Sequence, residues 1–264
     1  MKIKRRDFVK AAGLTLVSGV IDLPGCNVKS EKNVSHIISL SFDDGFKKSF
    51  VKTAEIYEKY NLAACLNITA GAHLPKMKSP NEYVSPTNVG DFDLWNELQN
   101  RGHEIMPHGY KHANLPQLPF SEATELIDKC LDYFSENLDN FKAKESIFNF
   151  PFNASSPELE KYLDSRVLAY RTGHAAINPM PHKGQKRLTC ISKGPENIDA
   201  FLDDQINNFL KSEGGWFIFN THGLDGEGWG PITSSYLDEL LDRLIKINNL
   251  AVLPVGYALK QLSE

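Results

Sequence analysis

Short apolar runs alternate with helix-patterned segments from residue 34 to residue 255, and this alternation narrows the fold more than any other property of the chain. Val34 to Phe42 reads as a strand, and Lys47 to Tyr60 as a helix with Phe50, Ala54 and Tyr57 at helical spacing. Leu62 to Thr69, His103 to Met106, Ser146 to Phe150, Val167 to Tyr170, Arg187 to Ile191, Gly215 to Thr221 and Ala251 to Val255 read as further strands. Helices are expected over Phe92 to Gln99, closed by Gly102, and over Ser121 to Leu138, Pro157 to Ser165, Asn197 to Lys211 and Ser234 to Ile247. A long loop with three prolines fills Gly71 to Gly90. Six or more such units without an internal break describe one parallel, barrel-like α/β domain, and 264 residues suit that size.

Three of the predicted strands end in polar motifs: Ser41-Phe42-Asp43-Asp44-Gly45, His108-Gly109-Tyr110-Lys111-His112 (just after the third strand) and Asn220-Thr221-His222-Gly223. In parallel α/β proteins, catalytic groups gather at the carboxyl ends of strands. Of two adjacent carboxylates, one can bind a metal while the other stays free as a base, and Gly45 permits the sharp turn this needs. Asp203-Asp204 also pairs carboxylates, but inside an amphipathic helix, where a solvated face explains it. His108 and His112, four apart, would lie on one face of a helical turn and could ligate one metal. With eight histidines in the chain, that spacing alone carries little. His103, within a strand, reads as structural. Alternation places Trp216, Ile218, Asn220 and His222 on one face of their strand, with His222 at a pocket mouth as a prospective general acid. The glycine-rich loop after it carries Trp229, suited to stacking on a sugar ring.

The amino terminus differs from the rest. Residues 1–25 carry +3 within a chain of −4, so the remainder carries −7. Lys4-Arg5-Arg6-Asp7-Phe8-Val9-Lys10, a short apolar run and Leu23-Pro24-Gly25-Cys26 form an export signal, too short to span a membrane. Arg5-Arg6 resembles a twin-arginine motif, and Leu-x-Gly-Cys resembles a lipobox ending at Cys26. The expectation is export to the periplasm or cell-envelope surface, membrane attachment through a lipidated Cys26, a linker over 27–34 and a catalytic domain over 35–264. Cys65, Cys130 and Cys190 are read as small buried hydrophobes. The negative charge, with no basic stripe, argues against a nucleic-acid partner.

Ser-Phe-Asp-Asp-Gly, then His-x-x-x-His, then Pro151-Phe152 near a strand end, then a strand ending in His222, resembles the polysaccharide deacetylase family, the NodB-homology domain of carbohydrate esterase family four. The resemblance runs from about Ile37 to Val255. It implies a distorted (β/α) barrel of about seven parallel strands and metal-dependent removal of acetyl groups from a glycan substrate, N-acetylated by preference. An O-acetyl xylan-like substrate, or a glycan-binding lipoprotein with weak catalysis, are the alternatives. Carried over by position, Asp43 matches the base and His222 the acid. Asp44, His108 and His112 match the ligands of one divalent metal, zinc first, with cobalt and nickel also fitting. Phe152 matches the donor of an oxyanion N–H. Pro151, Arg171, Asn220 and Trp229 are expected to meet substrate. Asn149 stands where the family often has Arg, and Asn220 where it has Leu. No Asp-x-x-x-Trp motif appears in Tyr170 to His174. Arg171 is expected to supply the missing guanidinium near Asp43, and Asp225 or Glu227 to orient His222.

Overall fold

Eight strands and seven α-helices of a computed structural model, which describes residues 34–75 and 88–262, alternate in βα order except that the sixth strand follows the fifth with no helix between them. The expected leader and linker, up to Asn33, lie outside the described residues, as does much of the loop before the helix that starts at Phe92. Seven strands form a parallel path in the spatial order β3 (Glu104–Pro107), β2 (Cys65–Ile68), β1 (His36–Phe42), β7 (Gly215–Thr221), β6 (Arg187–Ser192), β5 (Ala169–Gly173), β4 (Ile147–Asn149). Each predicted strand is present, within a few residues of the expected bounds. β8 (Leu250–Val252) pairs with the first half of β1, from His36 to Ile38, while β2 pairs with its end, at Ser41 and Phe42.

The path curls into a nearly closed barrel. Between β3 and β4, side chains replace the ladder: Asn149 donates to the Pro107 carbonyl (3.3 Å), and the Ile147 N–H points at Met106 Sδ (3.4 Å). The outer ring comprises α1 (Lys47–Lys59), α2 (Phe92–Asn100), α3 (Phe120–Asn137), α4 (Pro157–Leu163), α5 (Asp199–Phe209) and α6 (Ser234–Leu244). Three of them, α2, α4 and α6, start on a side-chain cap. Asp91 accepts from the Leu94 N–H, Ser156 from Leu159 and Thr233 from Tyr236. A last helix, α7 (Val255–Gln261), begins at the residue where the sequence pattern ended a strand. Pro254 and the apolar residues Val255, Ala258 and Leu259 made that segment look extended. Its apolar face instead joins the barrel interior, and Glu104 accepts from the N–H groups of Gly256 and Tyr257 at its start.

Strand alternation sorts side chains between the helical ring and the interior. Ile38, Leu40 and Phe42 pack outward with the helices, whereas Ile37, Trp216, Ile218, Ile147, Ala169 and Leu188 pack inward. Toward the strand ends the inward series turns polar. Cys65 gives way to Asn67, Ile147 to Asn149, Ala169 to Arg171 and Ile218 to Asn220, all four polar residues buried. Polar groups buried together must bond one another, because an unpartnered one costs about 1–3 kcal/mol. This polar layer supports the site. The three described cysteines are free and buried, as expected.

Candidate metal and hydrolytic site

The β1 ladder continues one residue past the strand, the Asp43 N–H donating to the Thr221 carbonyl at 3.0 Å. The chain then turns through two left-handed residues, Asp44 at φ 81° and Gly45 at φ 93°. A left-handed non-glycine residue costs of order 1–3 kcal/mol and persists where its surroundings enforce it. The turn aims both carboxylates into one space.

His108 and His112 enter from the loop after β3. They are not on a helical turn, which corrects the expectation from their spacing: Gly109 at φ 76° and His112 at φ 52° fold the segment back on itself. A Cβ at Gly109 would lie 2.8 Å from Pro151 Cγ, so glycine lets this loop settle on the β4 end. The two imidazoles meet Asp44 from different backbone geometry with the same result. Asp44 Oδ1 lies 3.4 Å from His108 Nε2 and 3.2 Å from His112 Nε2. Each of the three residues offers a ligand atom within 4.8 Å of the others'. Tetrahedral ligands at 2.0–2.1 Å from a zinc ion stand roughly 3.3 Å apart.

Electrostatics favour a cation at that point. His108 Nδ1 lies 3.0 Å from the Asn149 carbonyl, an acceptor only, so Nδ1 carries the proton. In the neutral ring, Nε2 then turns a bare lone pair toward a carboxylate oxygen. Both His108 Nε2 and Asp44 Oδ1 are buried without a hydrogen-bond partner among the described residues. Burial brings the His112 imidazole down to about 4 despite the raising effect of Asp44, so His112 is neutral at pH 7. Burial alone would raise Asp44, but His112 and His108 overcome it and hold the carboxyl well below its usual range. Two imidazoles and a carboxylate around buried, unpartnered atoms make a donor set that suits a divalent metal.

Asp43 is held differently. Its Oδ1 accepts from Asn67 Nδ2 at 2.7 Å, and its Oδ2 from Arg171 Nη2 and Asn220 Nδ2, both at 2.6 Å. Burial opposes its charge, yet Arg171 first, then His108 and His222, hold its carboxyl below the ordinary value. Arg171 also donates from Nε to Asn149 Oδ1 at 2.8 Å. The guanidinium on β5 therefore grips the Asp43 carboxylate directly, while Asn149 on β4 holds the guanidinium in place.

Asp43, Asp44, His108, His112, Phe152, Asn220, His222 and Trp229 meet in one cleft of about 520 Å³. Arg171 and Pro151 do not reach it, which corrects their expected contact with substrate. Arg171 is fully buried beneath Asp43, and Pro151 is buried behind Gly109. Asp225 and Glu227 do not orient His222 either. Asp225 accepts from the Ser234 N–H, and Glu227 accepts from the Ser49 N–H and hydroxyl. His222 meets the edge of Trp229 instead, ring centroids 5.5 Å apart, and its Nδ1 has no partner among the described residues. Phe152, at φ 59°, packs its half-exposed ring 4.7 Å from His112. His103 is structural: it accepts from the Ala64 N–H and lies 3.1 Å from Glu58. Sequence reasoning missed Asn67, Asn153 and Ser192; inward alternation would have pointed to Asn67 on its predicted strand and to Ser192 one residue past the end of another.

A family model for polysaccharide deacetylases matches residues 30–169. The chain belongs to the polysaccharide deacetylase family. The match takes in Asp43, Asp44, His108, His112 and Phe152, and stops before Arg171, Asn220 and His222. Members of the family are metal-dependent hydrolases, consistent with the donor set at Asp44, His108 and His112. Solved structures share the fold at low identity. A Mycobacterium smegmatis protein described as a polysaccharide deacetylase aligns with TM-score 0.65 and 12% identity over 91% of this chain and 94% of its own. The peptidoglycan deacetylase PdaC from Bacillus subtilis aligns at 0.54 and 16%, over 86% and 91%. A pseudoenzyme of carbohydrate esterase family four from Bacillus anthracis aligns at 0.55 and 12%, over 86% and 66%. That last likeness makes the site, not the fold, the ground for any catalytic argument. A search of curated protein sequences returns no match.

Proposed function

We propose that this family member is an active, metal-dependent deacetylase of an N-acetylated poly- or oligosaccharide, and that Asp44, His108 and His112 hold one divalent cation, zinc in preference to cobalt or nickel. The observation that carries the reading is the pair of buried, unpartnered atoms, Asp44 Oδ1 and His108 Nε2, facing one another at 3.4 Å beside a separately anchored Asp43. When bound there, the cation supplies Lewis acidity toward the acetyl carbonyl and the attacking water. Asp43, fixed by Asn67, Arg171 and Asn220, takes the proton from that water. The Phe152 N–H faces the developing oxyanion. His222, across the cleft beside Trp229, protonates the departing sugar nitrogen. Trp229 gives the sugar ring an apolar wall.

Acetate release from N-acetyl chito-oligosaccharides, with the protein stripped of metal and then reloaded with zinc, tests this reading. Release that depends on metal supports it. Binding of the oligosaccharide without release, loaded or stripped, would instead support a glycan-binding lipoprotein. Acetylated xylan run in parallel separates an O-acetyl esterase. Export, with Cys26 as a lipid anchor, is proposed on the leader sequence alone, and radiolabelled palmitate incorporation into wild type but not Cys26→Ala would test it.

A further inference from the structure

A carbonyl carbon under attack carries three groups, and the cleft offers each a different wall. In the reading proposed above, on which this inference rests, the oxygen belongs with the Phe152 N–H and the Asp44–His108–His112 corner. The departing nitrogen belongs with His222 and Trp229. The lining left for the acyl substituent is Asn153, Ser192 and Asn220. Their position agrees with that assignment. Asn153 follows Phe152 directly, and Asn220 donates to the base Asp43. Asn153 Nδ2 donates to Asn220 Oδ1 at 3.1 Å, so a side-chain amide link spans from the oxyanion donor to the base. Ser192 adjoins it, its Oγ 3.4 Å from the same Asn153 nitrogen.

An acetyl methyl directed at this wall finds amides and a hydroxyl where a methyl pocket would need carbon. It would cover polar groups and return nothing for their lost water. The wall also has capacity to spare. Ser192 accepts in its one assigned bond, which leaves its O–H to donate, and the Asn153 bond to Ser192 is long enough to exchange. A hydroxymethyl substituent carries its oxygen one bond beyond the methylene carbon, and directed at this wall it would meet the Ser192 hydroxyl and the Asn153 amide. We infer that the acyl pocket selects a hydroxylated two-carbon acyl group, so that an N-glycolyl sugar is a better substrate than its N-acetyl counterpart. The reaction remains a hydrolysis. The water oxygen forms the new bond to the carbonyl carbon, the C–N bond breaks, and the nitrogen leaves as the amine with the proton from His222. Glycolate is released in place of acetate.

Sites built to hydrogen-bond a substrate hydroxyl discriminate strongly against analogues that lack it, whereas apolar pockets discriminate weakly. The experiment compares matched N-glycolyl and N-acetyl chito-oligosaccharides on the zinc-loaded protein, following release of free amine. The expected result is a kcat/KM ratio of about tenfold or more in favour of glycolyl. Ser192→Ala and Ser192→Val should each collapse that ratio toward one, chiefly through loss on the glycolyl substrate. Calorimetry of both oligosaccharides on the metal-stripped protein should give the same order of affinity. Equal or faster turnover of the acetyl substrate, or a ratio indifferent to Ser192, overturns the inference. Selective binding of the glycolyl ligand with no turnover of either substrate would remove the catalytic reading and leave the selectivity standing. Neither binding nor turnover of either would remove both.

Discussion

Replacing Arg171 by methionine isolates the group that anchors Asp43 without touching the cleft. Arg171 and Asp43 are both buried, with Nη2 2.6 Å from Oδ2. Removing one partner of a buried pair leaves an uncompensated charge and costs about 3–5 kcal/mol. For a domain of this size each kcal/mol lowers Tm by about 2–4 °C, so the loss should be roughly 6–20 °C at pH 7. The sign of the pH dependence follows from Asp43. Its folded pKa lies below the unfolded value, so it stabilises above about pH 4, and this is lost as pH falls through the folded pKa. Without Arg171, burial is opposed only by the histidines and the Asn67 and Asn220 amides, and the variant's Asp43 pKa rises. Its deficit should therefore be largest at pH 7 and shrink toward pH 5, as Asp43 takes up a proton. Thermal denaturation of the metal-stripped proteins at the two pH values measures this, and Arg171→Lys should recover part of the loss by restoring charge without the fork. A Tm within a degree of wild type, or a deficit unchanged with pH, would refute the reasoning.

The division between the two aspartates predicts that Asp43→Asn retains zinc but loses turnover, whereas Asp44→Asn loses both; metal analysis beside an acetate assay reads the difference. His222→Ala should retain metal and lower kcat by about 10²–10⁴-fold, and full activity would remove His222 as the acid. At Gly228 a Cβ would lie 2.9 Å from both His222 Cβ and Phe46 Cε2, on a backbone at φ 80°, so Gly228→Ala should displace His222. Its expected signature is a fall in kcat with zinc affinity preserved.

The strands were legible because their apolar runs are short and their ends are marked by polar motifs. Asp43, Asp44, His108, His112 and His222 could be picked out because each follows such a run. What local pattern could not supply was the third dimension. A four-residue spacing fits a helical turn and a left-handed loop equally, and only the approach of Gly109 to Pro151 decides for the loop. The bond from Arg171 to Asp43 spans 128 positions and depends on barrel curvature, so the sequence supports it only by the absence of another guanidinium at Asn149. Asp225 and Glu227 looked like partners for His222 because they are near in sequence, but backbone N–H groups at Ser234 and Ser49 claim them. α7 was hidden because seven residues with Val255, Ala258 and Leu259 inward show too few turns to separate helix from strand.

The central claim is that Asp44, His108 and His112 form a metal site on which hydrolysis depends. Zinc titrated into the stripped protein, with bound metal and acetate release from an N-acetyl chito-oligosaccharide followed in the same samples, tests it most directly. One equivalent should bind per chain, with acetate release that saturates as it binds. Absence of stoichiometric binding, or acetate release equal in stripped and loaded protein, would contradict it.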